Sequence, residues 1–110
     1  MSDLLNEDEL SQLKEIMEDE FEMLTTLFID DSAKLIADMN TAIQTEDREA
    51  LRIAAHTLKG SSANMCVPSL SYLSSEVEER SKNMDLSGIT ALIEKLTSTH
   101  TEVADVLKKF

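Results

Sequence analysis

The chain has 110 residues, of which 42% are apolar, enough for one packed core and too few for two. Its 10 Lys and Arg against 22 Asp and Glu leave a formal net charge of −12. That balance weighs against nucleic-acid binding, which needs cations to replace phosphate counterions, and against docking on anionic membranes. Two Gly and one Pro exclude turn-rich β folds, while abundant Leu, Met, Ala, Glu and Lys favour helices.

In chain order, residues 1–6 read as a short tail with neither a basic region nor a long apolar run, so no secretory signal is expected there. Asn6 followed by Glu9 resembles a capping box that opens a short first helix, with Leu10, Leu13, Ile16 and Met17 as its apolar face. A long second block runs from about Glu18 to Gln44. Phe21, Leu24, Phe28, Leu35, Met39 and Ala42 recur at helical spacing, and Met23, Leu27 and Ile36 widen the stripe. Thr45 is suited to cap a third helix, with Glu46 and Asp47 in its first turn. Leu51, Ala55, Leu58, Ser62 and Met65 then line one face, and the helix ends near Asn64 or Met65.

Pro68 fits the first turn of a fourth helix, whose inner stripe is Leu70, Leu73 and Val77. A loop over 82–88 offers Asp85 or Ser87 as the next cap. The last block, 89–110, buries Ile89, Leu92, Ile93, Leu96, Val103 and Val106. The expected fold is therefore all-α, one domain over 1–110: an antiparallel four-helix bundle with a short additional N-terminal helix over one end. No stretch approaches the roughly 18 apolar residues of a membrane span. Cys66 is the only cysteine, which precludes an internal disulfide and fits a reducing compartment. A cytoplasmic monomer, binding neither membrane nor nucleic acid, is expected.

The chemistry-bearing segment is Ala54-Ala55-His56-Thr57-Leu58-Lys59-Gly60-Ser61-Ser62. On a helix Ala55 and Leu58 face inward, and His56, about 100° round from Ala55, points outward. Lys59 and Gly60, three and four residues on, share the His56 surface. A neutral imidazole attacks phosphorus readily and forms a labile N–P bond, suited to passing a phosphoryl group on. Lys59 supplies positive charge where phosphoryl oxygens would lie. A mid-helix glycine costs about 1 kcal/mol relative to Ala, and beside a nucleophile its missing side chain admits a bulky partner. Ser61 and Ser62 are small as well, so the surroundings of His56 read as a docking surface. Singly, each residue has a plainer explanation: a solvated or structural histidine, a glycine for helix packing, an ordinary surface lysine. Their joint occurrence on a four-helix pattern carries the reading.

The run His56-Thr57-Leu58-Lys59-Gly60-Ser61-Ser62-Ala63-Asn64-Met65 resembles the signature of histidine-containing phosphotransfer (HPt) domains. An acidic Met17-Glu18-Asp19-Glu20-Phe21 opening before the second helix and the Leu70, Leu73, Val77 stripe agree with it, over roughly residues 7–110. Cys66 stands where the family's motif usually has Gly, so a longer or differently shaped joint to the fourth helix is expected.

The resemblance, to the stand-alone bacterial type, implies a phosphorelay carrier in two-component signalling. His56 Nε2 would exchange a phosphoryl group with the aspartate of a receiver domain, in a response regulator or a hybrid sensor kinase. No ATP site, resident metal or cofactor is implied, and Mg²⁺ is expected only in the receiver. By similarity, Lys59 screens the phosphoryl charge and Gly60 leaves room for the partner. Glu78 on the fourth helix would hold Nδ1, and Lys82 would be a second basic neighbour. Docking would use the His56 face with Leu13, Met17, Met23 and Leu27.

Other readings fit less well. Two glycines cannot build a phosphate-binding loop. Ile53 and Thr97 stand three residues before the two histidines, so the Glu-x-x-His pairs of a di-iron bundle are missing. One Cys and two distant His make a zinc site a poor fit. His100 continues the inner side of the last helix and reads as half-buried structure. The alternative function is a helical adaptor that binds signalling partners without phosphoryl chemistry.

Overall fold

A computed structural model describes residues 4–110; residues 1–3 of the expected tail lie outside it. Five α-helices follow one another: α1 (Glu7–Met17), α2 (Phe21–Gln44), α3 (Arg48–Asn64), α4 (Pro68–Lys82) and α5 (Ile89–Lys109). A single 3₁₀ turn, Glu18–Glu20, joins α1 to α2. The bundle contacts run α2–α3, α3–α4, α4–α5 and α5–α2, so each of these helices lies beside its neighbours in sequence and α5 closes the ring. Short loops make consecutive helices antiparallel.

The core is one continuous cluster. Phe21, Phe28, Ile36 and Met39 of α2 meet Leu51, Ala55 and Leu58 of α3, Leu70 and Val77 of α4, and Ile93, Leu96 and Val103 of α5. α1 lies over the end where α3 stops and α4 starts. The Asn6 amide donates to the Cys66 carbonyl at 2.8 Å, Ser69 Oγ donates to the Leu4 carbonyl at 2.7 Å, and Lys14 Nζ donates to the Phe110 carbonyl at 2.6 Å. Asn6 caps α1 as the sequence implied, its Oδ1 accepting the Glu9 amide at 3.1 Å.

Several local expectations need correction. The acidic opening is not the first turn of α2, because Glu18 takes a left-handed φ of 50° that separates it from α1 and leaves a 3₁₀ turn. Thr45 closes α2 instead of opening α3. The cap of α3 is Asp47, whose Oδ1 accepts the Ala50 amide at 3.0 Å. Neither Asp85 nor Ser87 caps α5; Asp85 Oδ1 is taken up by the Ser87 amide and hydroxyl, and Gly88 sits at the cap position. The α3–α4 joint is as tight as a glycine would make it. Cys66 adopts a φ of 64°, and the Val67 amide donates to the Ser62 carbonyl at 2.9 Å. Ile16, expected on the inner face of α1, is 75% exposed. No helix among the described residues is long and apolar enough to cross a membrane.

Candidate functional site

α3 and α4 form the hairpin that carries the site, and small residues let them approach. Ser71, Ser74, Glu78 and Ser81 recur at helical spacing on α4, and the last three are buried. Small side chains before and after Glu78 leave room for its carboxylate to lie between the two helices. Ser71 Oγ donates to the Lys59 carbonyl at 3.1 Å and pins α4 against α3 beside the site.

His56 stands in solvent, its side chain 63% exposed, whereas that of Glu78 is 5% exposed. Glu78 Oε2 lies 2.8 Å from His56 Nδ1, and Oε1 lies 2.7 Å from Lys59 Nζ. Lys82 Nζ is 3.8 Å from Oε2, one turn along α4. The Lys59 ammonium hydrogen-bonded to Glu78 holds its carboxyl below the usual carboxylate range, against the opposing push of burial, and the bond from His56 lowers it further. An ionised carboxylate only accepts hydrogen bonds. The proton on this contact therefore belongs to Nδ1, and in the neutral ring Nε2 keeps its lone pair. The cost of burying a carboxylate is offset by these three cation or N–H partners.

Gly60 lies on the same exposed face, and a Cβ built there would meet nothing within 4 Å. No packing inside this chain explains the glycine. Ser61 is half-buried, its hydroxyl turned back to the Leu58 carbonyl at 3.3 Å. Ser62 does not belong to the docking surface: it is fully buried between helices, with its hydroxyl unpartnered. The helical period explains this, since position 62 follows Leu58 and Ala55 round to the inner face.

The expected docking residues divide. Met23 and Leu27 are exposed at 66% and 53%. Leu13 and Met17 are half-buried against the core and present little free surface, because α1 turns that face down and leaves Ile16 outside. Sequence reasoning missed Ile53, an exposed apolar residue one turn before His56; the three-residue spacing was the available signal. It also missed Tyr72, which is exposed and lines a groove with Lys59, Ala63 and Ser75. Arg52, four residues before His56 on α3, is paired with Glu49 at 2.6 Å. His100 is half-buried and structural: its Nε2 meets the Ile29 carbonyl at 3.1 Å and Ser32 Oγ at 2.8 Å.

Comparison with known proteins gives the family and the fold. The family described as Hpt domain matches residues 23–106. Among solved structures, the crystal structure of histidine-containing phosphotransfer protein B (HptB) from Pseudomonas aeruginosa PAO1 is similar at a TM-score of 0.94. The two are 33% identical, over 99% of this chain and 95% of that chain. No curated protein matches the sequence.

Proposed function

Since the chain belongs to the Hpt domain family and is a phosphorelay carrier of two-component signalling, we propose that His56 is the residue that carries the phosphoryl group. The observation that supports this is the imidazole itself: 63% exposed, with Nδ1 engaged by a buried carboxylate, and hence with the Nε2 lone pair free on the other side of the ring. Such a ring is oriented before any partner arrives, as in other sites where a carboxylate fixes an imidazole.

The step is an exchange. The Nε2 lone pair attacks the phosphorus of an aspartyl phosphate on a receiver domain, the P–O bond breaks, and its electron pair leaves with the aspartate carboxylate. The product is a phosphoimidazolium that keeps its proton on Nδ1, against Glu78. Reversal returns the group to an aspartate. On this reading Lys59 and Lys82 supply the positive charge that the transferred oxygens need, and the open space at Gly60 admits the receiver. Any Mg²⁺ is the receiver's, and the phosphoryl group comes from an aspartate, not from ATP. The partners on this reading are receiver domains of response regulators and hybrid sensor kinases, met in the cytoplasm.

Radiolabel transfer from a phosphorylated receiver domain tests the assignment. His56→Gln is expected to abolish labelling and His100→Gln to leave it intact. Labelling that survives His56→Gln overturns it.

A further inference from the structure

One buried carboxylate serves two neighbours at the site. Glu78 takes the Nδ1–H of His56 with Oε2 and the Lys59 ammonium with Oε1, at 2.8 and 2.7 Å. A neutral carboxamide of the same shape could accept the same hydrogen bond from Nδ1, so orientation alone does not require an anion here. The charge matters once the ring bears a phosphoryl group. When the P–N bond breaks, its electron pair returns to Nε2. If Nδ1 still holds its proton, the leaving group is neutral imidazole. If Nδ1 has lost it, the leaving group is imidazolate, a far poorer one. An anion against Nδ1 keeps that proton in place to higher pH.

We propose that Glu78 is a positioning residue whose negative charge favours the ring-protonated, readily donating form of phosphorylated His56. This rests on His56 being the phosphoacceptor. The cations near the ring act in the opposite sense, and among the described residues no carboxylate besides Glu78 makes a hydrogen bond or ion pair with it. On α3, Lys59 is paired with Glu78, and Arg52 is paired with Glu49 at 2.6 Å. On α4, Lys82 stands 3.8 Å from the same carboxylate. On α2, Asp38 lines the groove that also holds Ile53 and Thr57. Glu78 is the carboxylate in hydrogen-bond contact with the imidazole, and Lys59 moderates it by sharing its charge.

The test needs no receiver. The protein is phosphorylated with phosphoramidate, the reagent is removed, and loss of the phosphoryl group to water is followed by ³¹P NMR and intact mass between pH 5 and pH 10. Water supplies the accepting oxygen, and the ring returns as neutral imidazole. The loss rate should fall as pH rises through a midpoint. In Glu78→Gln that midpoint should move down by about one pH unit or more, the size expected for removing an opposite charge in contact. In Lys59→Met, where the carboxylate is no longer shared, it should move up. A Glu78→Gln midpoint equal to that of the unaltered protein overturns the proposal. Should Glu78→Gln not fold by circular dichroism, Glu78→Ser, which matches the buried Ser74 and Ser81 of the same stripe, decides: a lowered midpoint sustains the proposal and an unmoved one overturns it. Failure of His56 to accept phosphoryl from the reagent, with label elsewhere, removes the carrier assignment as well, which separates the two failures.

Discussion

At position 60 the helix accepts a cost with no return inside the molecule. A glycine there forgoes about 1 kcal/mol of helix stability, yet open space surrounds the place where a side chain would stand. Gly60→Ala should therefore raise the unfolding free energy by about 1 kcal/mol in denaturant titration. Gly60→Gln should leave the circular dichroism nearly unchanged but slow transfer from a receiver about tenfold or more, since crowding a fitted interface costs roughly 1–3 kcal/mol. Normal transfer by the glutamine variant would remove the docking explanation for this glycine. The serines after it show how fine the distinction is. Ser61 and Ser62 look alike in sequence, but one is half-buried at the edge and the other is sealed in the core, and one step of 100° makes the difference.

The helices end by one repeated device. α2, α3 and α4 each stop at a non-glycine residue with left-handed φ: Glu46 at 55°, Cys66 at 64° and Met84 at 58°. In each case the following amide reaches back five residues: Asp47 to Ala42, Val67 to Ser62, Asp85 to Arg80. This is the helix-stop geometry in which glycine is favoured, because other residues pay for the left-handed backbone. Glu46 is exposed, so Glu46→Gly should stabilise the protein by about 0.5–1 kcal/mol, read as a higher denaturation midpoint at unchanged slope. The same device explains which parts of the fold were legible. Helix interiors announced themselves through apolar spacing, and the starts at Asn6 and Pro68 through residue types with few alternatives. The stops fell where expected, at Gln44, at Asn64 and at Lys82, but the left-handed residues that make them, Glu46, Cys66 and Met84, carry no local signature in a chain with two glycines. Of the site, His56, Lys59 and Gly60 were readable because they share one helix and a fixed angular relation. Glu78 came only through family resemblance. Its burial depends on the Ser71, Ser74, Ser81 stripe and on how closely α4 approaches α3, a tertiary fact with no counterpart in local sequence. On α1, Leu10, Leu13 and Met17 turn to the core as expected and Ile16 does not: the amphipathic period fixes a stripe, while the 3₁₀ turn sets how that stripe is rotated onto the bundle.

For the molecule as a whole, Glu78 links the site to global stability. Folded, it gives up its proton more readily than in the unfolded chain, because Lys59 and His56 bind the anion. At acid pH the unfolded chain therefore takes up a proton that the folded one refuses, and stability falls as pH falls. The contribution is complete above the unfolded carboxylate value of about 4.3 and is lost as pH drops through the lower folded value. Between pH 5 and pH 3 the melting temperature should decline, and Glu78→Gln should decline less steeply, whatever its starting point. Glu49 and Asp85, also held low by Arg52 and by the Ser87 hydrogen bonds, are common to both proteins and do not alter the comparison. The cations gathered about Glu78 have a further effect at long range. On a molecule of charge −12, Arg52, Lys59 and Lys82 gather beside the proposed phosphoacceptor and offset the charges of Glu49 and Glu78 there. If His56 is the acceptor, an acyl phosphate drifting toward this surface meets repulsion on most approaches and least where the cations stand. Collisions are thus sorted by direction before any side chain touches its partner, and added salt should blur that sorting.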